Sequence, residues 1–199
     1  MAQGLPKIFL ARHGQTAWSL SGQHTGRSDI PLTPEGEENA RRLGERLAKI
    51  QEPITLVLTS PVQRARRTAE LAGFGRAEVD ADLYEWDYGK YEGRKTEDIR
   101  RERPDWQLFR DGVPGGETLA QVAARADRVI ARVRAAGGNV ILFSSGHILR
   151  VLGARWCVFD PAAAGHLDLG TASLSVLSYE HTLAEPVVRL WNDREHLDP

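Results

Sequence analysis

Residues 7–10 read as a brief buried strand, and past Ala11 the chain runs into Arg12 and His13, with Gly14, Gln15 and Thr16 following. In open α/β sheets ligands sit in the crevice beyond the carboxyl ends of strands, so this order delivers a cation and an imidazole to that crevice. Imidazole is a competent nucleophile when one ring nitrogen is free and the other is pinned by a hydrogen bond. A neighbouring guanidinium offers a planar fork for phosphate oxygens. Taken alone, Arg-His-Gly also fits a plain polar strand-loop junction. Further along, Arg64 lies within a turn of the end of a second apolar run, residues 54–58, and His147 follows a third, residues 140–143, at the start of a helix. Free backbone N–H groups and the helix dipole favour an anion there. Glu85 stands beside Trp86, whose ring would supply the apolar wall that raises a carboxyl pKa toward neutrality. Asp87 is close enough in sequence to compete for the same role.

The elements that must position these groups are legible as periodicities. Residues 18–31 hold Ser, Gly, Gln, His, Thr and Asp without an apolar period, so a long loop is expected, and long ordered loops tend to be functional. Thr33 reads as an N-cap with Pro34 at the first helical position and Glu35 and Glu37 in the first turn. Ala40, Leu43, Leu47 and Ile50 continue at helical spacing until Pro53 ends the helix. A second helix, after Ser60-Pro61, carries Arg64, Ala65, Thr68, Ala69 and Ala72. Residues 73–82 read as linker, and 84–118 as an excursion over the active face that leads to Leu119, Val122, Ala126, Val129 and Val133 on a long helix. Gly137-Gly138 terminates that helix. After the strand at 140–143 comes an apolar helix through Leu152 and Trp156. Residues 173–179 and 187–191 alternate as two late strands, and 192–199 reads as a loose tail.

The chain of 199 residues is long enough for one large domain, 1–199, and its net charge of −1 provides no long-range field for nucleic acid or an anionic membrane. Any anion site must therefore be local. The one cysteine, Cys157, excludes an internal disulfide and reads as core filler in a reducing compartment. No apolar segment approaches the ~20 residues of a membrane span, and residues 1–7 carry no targeting pattern, so a cytoplasmic location is expected. Competing chemistries lack their signatures. There is no G-x-x-x-x-G-K-[ST] loop, G-x-G-x-x-G, H-E-x-x-H or Cys-x-x-Cys, and Ser144 and Ser145 near His147 come without G-x-S-x-G.

Two histidines, two arginines and one carboxyl on crevice loops suit phosphoryl transfer. Fixed cations hold the equatorial oxygens, an in-line nucleophile attacks, and the leaving alkoxide receives a proton. Arg12-His13-Gly14-Gln15-Thr16 resembles the signature of the histidine phosphatase (phosphoglycerate mutase-like) superfamily. Ser60-Pro61 with Arg64-Ala65 and Thr68-Ala69, Glu85 with Tyr88-Gly89 and Glu92-Gly93, and Gly146-His147 resemble its further motifs, in order over nearly the whole chain. Gly22-Gln23-His24-Thr25-Gly26 with Asp29-Ile30-Pro31-Leu32-Thr33, and Glu85-Trp86-Asp87-Tyr88-Gly89, are similar to a group containing sedoheptulose bisphosphatase and bacterial acid phosphatases.

The resemblance implies a three-layer α/β/α sandwich with a mixed, mostly parallel sheet, and a metal-independent phosphomonoesterase that needs no cofactor. His13 would be the phosphorylated nucleophile, Arg12, Arg64 and His147 the phosphoryl clamp, and Glu85 the acid that later activates water. His24, Thr25, Gly26, Tyr88 and Arg150 fall where family members contact the rest of a small phosphorylated metabolite. For His24 an exposed loop histidine is the competing expectation, and for His166, His181 and His196 it is the preferred one. Mutases of the superfamily carry a longer basic segment after the acid, where this chain offers Arg94, Lys95 and Arg110. Hydrolysis is therefore favoured over a cofactor-dependent phosphoglycerate mutase. A phospho-ligand binding module is the third reading, opposed by the filling of all five catalytic positions, and homodimerisation is left open.

Overall fold

Alternation along strand β1 (Ile8–Arg12) decides which layer each helix joins. Successive side chains of a strand point to opposite faces. Ile8 and Leu10 belong to one buried cluster with Val140 and Leu142 of β4 (Asn139–Ser144), while Phe9 and Ala11 belong to a second with Ile141 and Phe143. Helices α6 (Leu119–Ala135) and α7 (Gly146–Trp156) cover the first face through Val122, Ala126, Val129, Leu149 and Leu152. Helices α2 (Pro34–Leu47) and α3 (Gln63–Leu71) cover the second through Leu43, Leu47 and Ala69. Each such Leu or Val contributes roughly 1.5–3 kcal/mol when fully buried. The computed structural model describes residues 4–198.

The other strands are β2 (Ile54–Thr59), β3 (Glu78–Val79), β5 (Leu174–Tyr179) and β6 (Pro186–Asp193), and the sheet order is β3-β2-β4-β1-β5-β6. Strands β1 to β4 pair in parallel, β5 is antiparallel to β1, and β6 antiparallel to β5. This is the expected mixed, mostly parallel α/β sheet between helices. Strand β4 lies between β1 and β2, so their carboxyl ends open side by side. The ladder continues past them, with His13 N–H donating to the Ser144 carbonyl and Ser60 N–H to the Phe143 carbonyl, both at 2.9 Å.

Caps set the helix starts much as expected. Thr33 Oγ1 accepts from Gly36 N–H at 3.0 Å, and Thr118 and Gln121 form a reciprocal capping box on α6. Helix α2 stops at Leu47, short of Pro53, because the chain tightens there; Ile50 N–H donates to the Leu47 carbonyl at 3.0 Å and Ile50 still packs on the sheet. The segment 18–31 is not all loop. Its start belongs to a short helix, α1 (Ala17–Ser21), made by a Thr16–Ser19 capping box, with none of its residues buried. A helix held by its cap alone shows no apolar period.

Strand β3 lies inside the expected linker 73–82, and two residues are too few to reveal alternation. The excursion carries α4 (Thr96–Glu102) and α5 (Leu108–Asp111), anchored by buried Ile99, Trp106 and Leu108. The tail is docked rather than loose. Asp193 is buried and pairs with Arg46 at 3.3 Å, and Arg42 donates to the Leu197 carbonyl at 3.0 Å. His196 is half-buried and donates through Nε2 to the Ala172 carbonyl at 2.9 Å, which corrects its reading as an exposed loop histidine. Cys157, at the end of α7, packs against the first cluster, and burial pushes its thiol pKa up.

Candidate active site

His13 follows the last residue of β1, is 4 % exposed, and has its Nδ1 2.8 Å from the Gly14 carbonyl. A carbonyl only accepts, so Nδ1 carries the proton and Nε2 keeps the lone pair. Burial, then Arg64 and Arg12, push the His13 pKa well below the usual histidine value, so the ring is neutral. The backbone around it is tightly packed. Gly14 N–H donates to Thr68 Oγ1 at 3.0 Å, and a Cβ on Gly14 would come within 2.2 Å of the Gly36 carbonyl oxygen. A glycine is needed at that crossing because backbone meets backbone.

Arg12 lies against the start of α7, where a Cβ on Gly146 would stand 3.3 Å from its Cζ, and donates to the Leu169 carbonyl. Arg64, fully buried, donates to the carbonyls of Ser28 at 2.8 Å, Thr25 at 3.0 Å and Gly26 at 2.9 Å. Burial opposes the charge of both guanidiniums, and Glu85 opposes that shift. Among the described residues, the buried Nε of each has no hydrogen-bond partner. Unpaired buried donors are costly, and an anion's oxygens would satisfy them.

Glu85, 3 % exposed, accepts from the amides of Trp86 at 2.9 Å, His147 at 2.8 Å and Ile148 at 2.9 Å. The group seated at the N-terminus of α7 is thus the Glu85 carboxyl. The expected apolar wall is not what Trp86 supplies to it. Trp86 gives its backbone amide, while its indole N–H donates to the Glu117 carbonyl at 2.8 Å. Three of the carboxylate's four lone-pair directions are taken, and one remains on Oε2. Asp87 turns away from the cleft, accepting from Gly89 N–H at 2.9 Å.

His147 Nδ1 lies 2.5 Å from the Tyr88 hydroxyl and 3.8 Å from Glu85 Oε2. Burial and then Glu85 push the Tyr88 pKa well above that of a free phenol, so it keeps its proton. Burial, then Arg150, His24 and Arg12, push His147 well below the usual histidine value. The approach to Glu85 is therefore not an ion pair. With the Tyr88 hydroxyl as donor to Nδ1, the neutral ring carries its own proton on Nε2.

These groups converge on a cleft of about 260 Å³ lined by Arg12, His13, Glu85, Tyr88, His147 and Arg150, with His24 and Thr25 on its wall. His24 is not an exposed loop histidine. Its ring lies 4.8 Å from Tyr88 and 5.7 Å from Trp106, and burial lowers its pKa to about 4. Arg64 does not line the cleft but acts on His13 from beneath. Gly26 does not line it either; its N–H donates to Glu92 Oε1 at 2.9 Å, and a Cβ there would lie 2.4 Å from the Trp86 carbonyl oxygen. Ser144 and Ser145 are buried outside the cleft, Ser144 donating to the Leu83 carbonyl at 2.5 Å. Arg94 is paired with Glu102 and Arg110 with Asp111, and neither they nor Lys95 reach the cleft.

Sequence reasoning missed the support behind Glu85. Buried Arg125 of α6 holds Glu117 through two contacts of 2.8 Å and donates to the carbonyls of Asp82 at 2.7 Å and Tyr84 at 2.8 Å. Its signal was position, since it stands between Val122 and Ala126 on the apolar stripe. Thr96, Asp168 and Leu169 also line the cleft, and no periodicity marks them.

A buried histidine just after a central strand, with Arg12 and buried Arg64 beside it and a second histidine on the same cleft, suits histidine-dependent phosphoryl transfer. The model of the histidine phosphatase superfamily (branch 1) matches residues 8–194, and the chain belongs to that family. It is 38 % identical to an acid phosphatase of Mycobacterium tuberculosis over 184 residues, covering 92 % of this chain and 91 % of that protein. It is also 38 % identical to sedoheptulose 1,7-bisphosphatase of Saccharomyces cerevisiae over 183 residues, covering 76 % of this chain and 67 % of that protein. The solved structure of the Mycobacterium tuberculosis open reading frame Rv3214 superposes with a TM-score of 0.90 at 36 % identity, over 94 % of this chain and 97 % of that one. The motif-level likeness to bisphosphatases and bacterial acid phosphatases is borne out.

Proposed function

We propose that this protein is a metal-independent phosphomonoesterase that hydrolyses small phosphorylated metabolites through a phosphohistidine on His13. The observation that carries this reading is the pinned, neutral ring of His13, whose Nδ1 proton is held by Gly14 and whose Nε2 lone pair is left for attack. Nε2 forms a bond to phosphorus as the ester P–O bond breaks. Arg12 and the Nε2 proton of His147 hold the phosphoryl oxygens as their charge rearranges, and the charge of buried Arg64 adds to the field from behind His13. The proton for the leaving oxygen comes from Glu85 Oε2, whose remaining lone-pair direction can carry one. Glu85 then takes a proton from the water that attacks phosphorus, the P–N bond breaks, and inorganic phosphate leaves with His13 and Glu85 restored.

His24, Thr25, Tyr88 and Arg150 would bound the rest of the substrate, Tyr88 chiefly by holding His147. The likeness to an acid phosphatase and to a sedoheptulose 1,7-bisphosphatase supports sugar phosphates or bisphosphates as the class to try first. The two hydrophobic clusters share one sheet, which supports reading 1–199 as one domain. No helix among the described residues is long and apolar enough to cross a membrane, and the single cysteine favours the cytoplasm.

The test is phosphate release from a panel of sugar mono- and bisphosphates, phosphoglycerates and nitrophenyl phosphate, with EDTA present and His13→Ala as control. The expected result is EDTA-resistant release that disappears in the variant. Interconversion of monophosphoglycerates faster than phosphate release would make the protein a mutase instead. Binding without either reaction would leave a phospho-ligand binding module.

A further inference from the structure

Beyond the groups assigned to the phosphoryl group, the cleft wall is electrically balanced. Ser19, Gln23, Thr25 and Thr96 are uncharged, and His24 is neutral down to about pH 4. The charged residues left are Arg150 and Asp168. Two of the five N–H donors of Arg150 are committed, one on Nε to the Ala164 carbonyl at 3.0 Å and one on Nη2 to the Gly165 carbonyl at 3.1 Å, and its Cζ stacks 4.8 Å from the Phe109 ring centre. Asp168 is held from the other side by the end of β6. Its carbonyl accepts from the Trp191 indole at 2.6 Å, and its Oδ2 lies 3.4 Å from Asn192 Nδ2. Asn192 is fixed in turn, with a left-handed φ of 56° and its Oδ1 accepting from Gly170 N–H at 2.7 Å. The Asp168 carboxylate is near enough to Arg12 and Arg150 to favour the charged form of both.

A second anionic group entering this cleft would meet the Asp168 carboxylate, whose charge offsets the one that Arg150 presents there. Hydroxyl groups would instead donate to that carboxylate. We propose that Asp168 is a specificity-determining residue, which makes the cleft select phosphomonoesters of uncharged, hydroxylated compounds and disfavour substrates with a second phosphate or a carboxylate. This deepens the phosphatase reading and rests on it. Unit charges a few ångströms apart at a protein surface interact strongly enough to change selectivity about tenfold, after allowance for solvent screening of an exposed carboxylate.

The experiment measures kcat/KM for two matched pairs, glycerol 3-phosphate against 3-phosphoglycerate and fructose 6-phosphate against fructose 1,6-bisphosphate, in the wild type, Asp168→Asn and Asp168→Glu. The wild type is expected to prefer the neutral member of each pair. Asp168→Asn should narrow that ratio about tenfold and Asp168→Glu should retain it. Added salt should narrow the wild-type ratio by screening, a measurement that needs no variant to fold. A wild-type preference for the anionic member, or a ratio unmoved by both Asn and salt, would overturn the proposal while nitrophenyl phosphate turnover kept the phosphatase reading intact. Failure to release phosphate from any substrate, nitrophenyl phosphate included, would overturn both.

Discussion

His13, buried, and His147, half-buried, are both neutral imidazoles, and their hydrogen bonds suit them to opposite tasks. In the proposed mechanism the Gly14 carbonyl accepts from Nδ1 of His13 and leaves Nε2 as nucleophile, while the Tyr88 hydroxyl, donating to Nδ1 of His147, leaves an N–H donor. In the same proposal Glu85, with one lone-pair direction left on Oε2, carries the proton between leaving group and water. Glu85→Gln should therefore slow sugar phosphates, whose alkoxide is a poor leaving group, about 100-fold or more, and nitrophenyl phosphate far less. Equal losses in kcat on the two substrates would remove Glu85 from the acid role. The sequence showed which residues to gather, since both histidines and Arg12 and Arg64 stand near the end of a strand or the start of a helix, and Glu85 carries a motif. It did not show how each is held. Trp86 next to Glu85 reads as an apolar wall, but neighbours in a chain need not face one another, and the contact made is through the amide. Gly26 likewise sits in a motif of cleft residues yet serves the loop's own packing against Trp86 and Glu92.

Helix α6 reaches the site without touching it. Arg125 and Glu117 form a largely shielded pair that fastens the backbone on both sides of Glu85. Removing one partner of such a pair leaves an uncompensated buried charge. Arg125→Met should destabilise the fold by about 3–5 kcal/mol and lower kcat, read by denaturant unfolding and by turnover below the unfolding transition. Adding Glu117→Gln should restore part of the stability, because the stranded charge is removed; no recovery would mean that Arg125 acts through packing alone. The apolar stripe of α6 was plain from its 3-4 spacing, and a cation on it was the one visible anomaly. Short elements held by caps or by two ladder bonds, such as α1 and β3, leave no comparable pattern.

Across the whole molecule, the layers follow from strand alternation and helix periodicity, and both were readable. The docked tail was not, because the buried Asp193 and the His196 contact join residues that no local pattern links. Burial of His13, His24 and His147 in the neutral form has a consequence for pH stability. Each has a folded-state pKa below its unfolded value of about 6.5, so the unfolded chain binds more protons as pH falls. Their contribution is fully present above about pH 6.5 and is lost as pH falls toward the folded values. His24, with its folded value of about 4, accounts for roughly 3 kcal/mol of that loss. Thermal unfolding should show Tm falling between pH 6.5 and 4, with a shallower fall in His24→Asn. Equal slopes in the two proteins would contradict the neutral, partly buried state of His24.

The central claim is that the phosphoryl group passes through His13. The most direct measurement is rapid quenching of the enzyme during turnover, under alkaline conditions that preserve phosphohistidine, followed by mass spectrometry of the intact chain and its peptides. A single phosphoryl group on the peptide containing His13, absent in His13→Ala and discharged at the rate of turnover, is the predicted result. Phosphate release that continues in His13→Ala, or a phosphoryl group carried elsewhere, would contradict it.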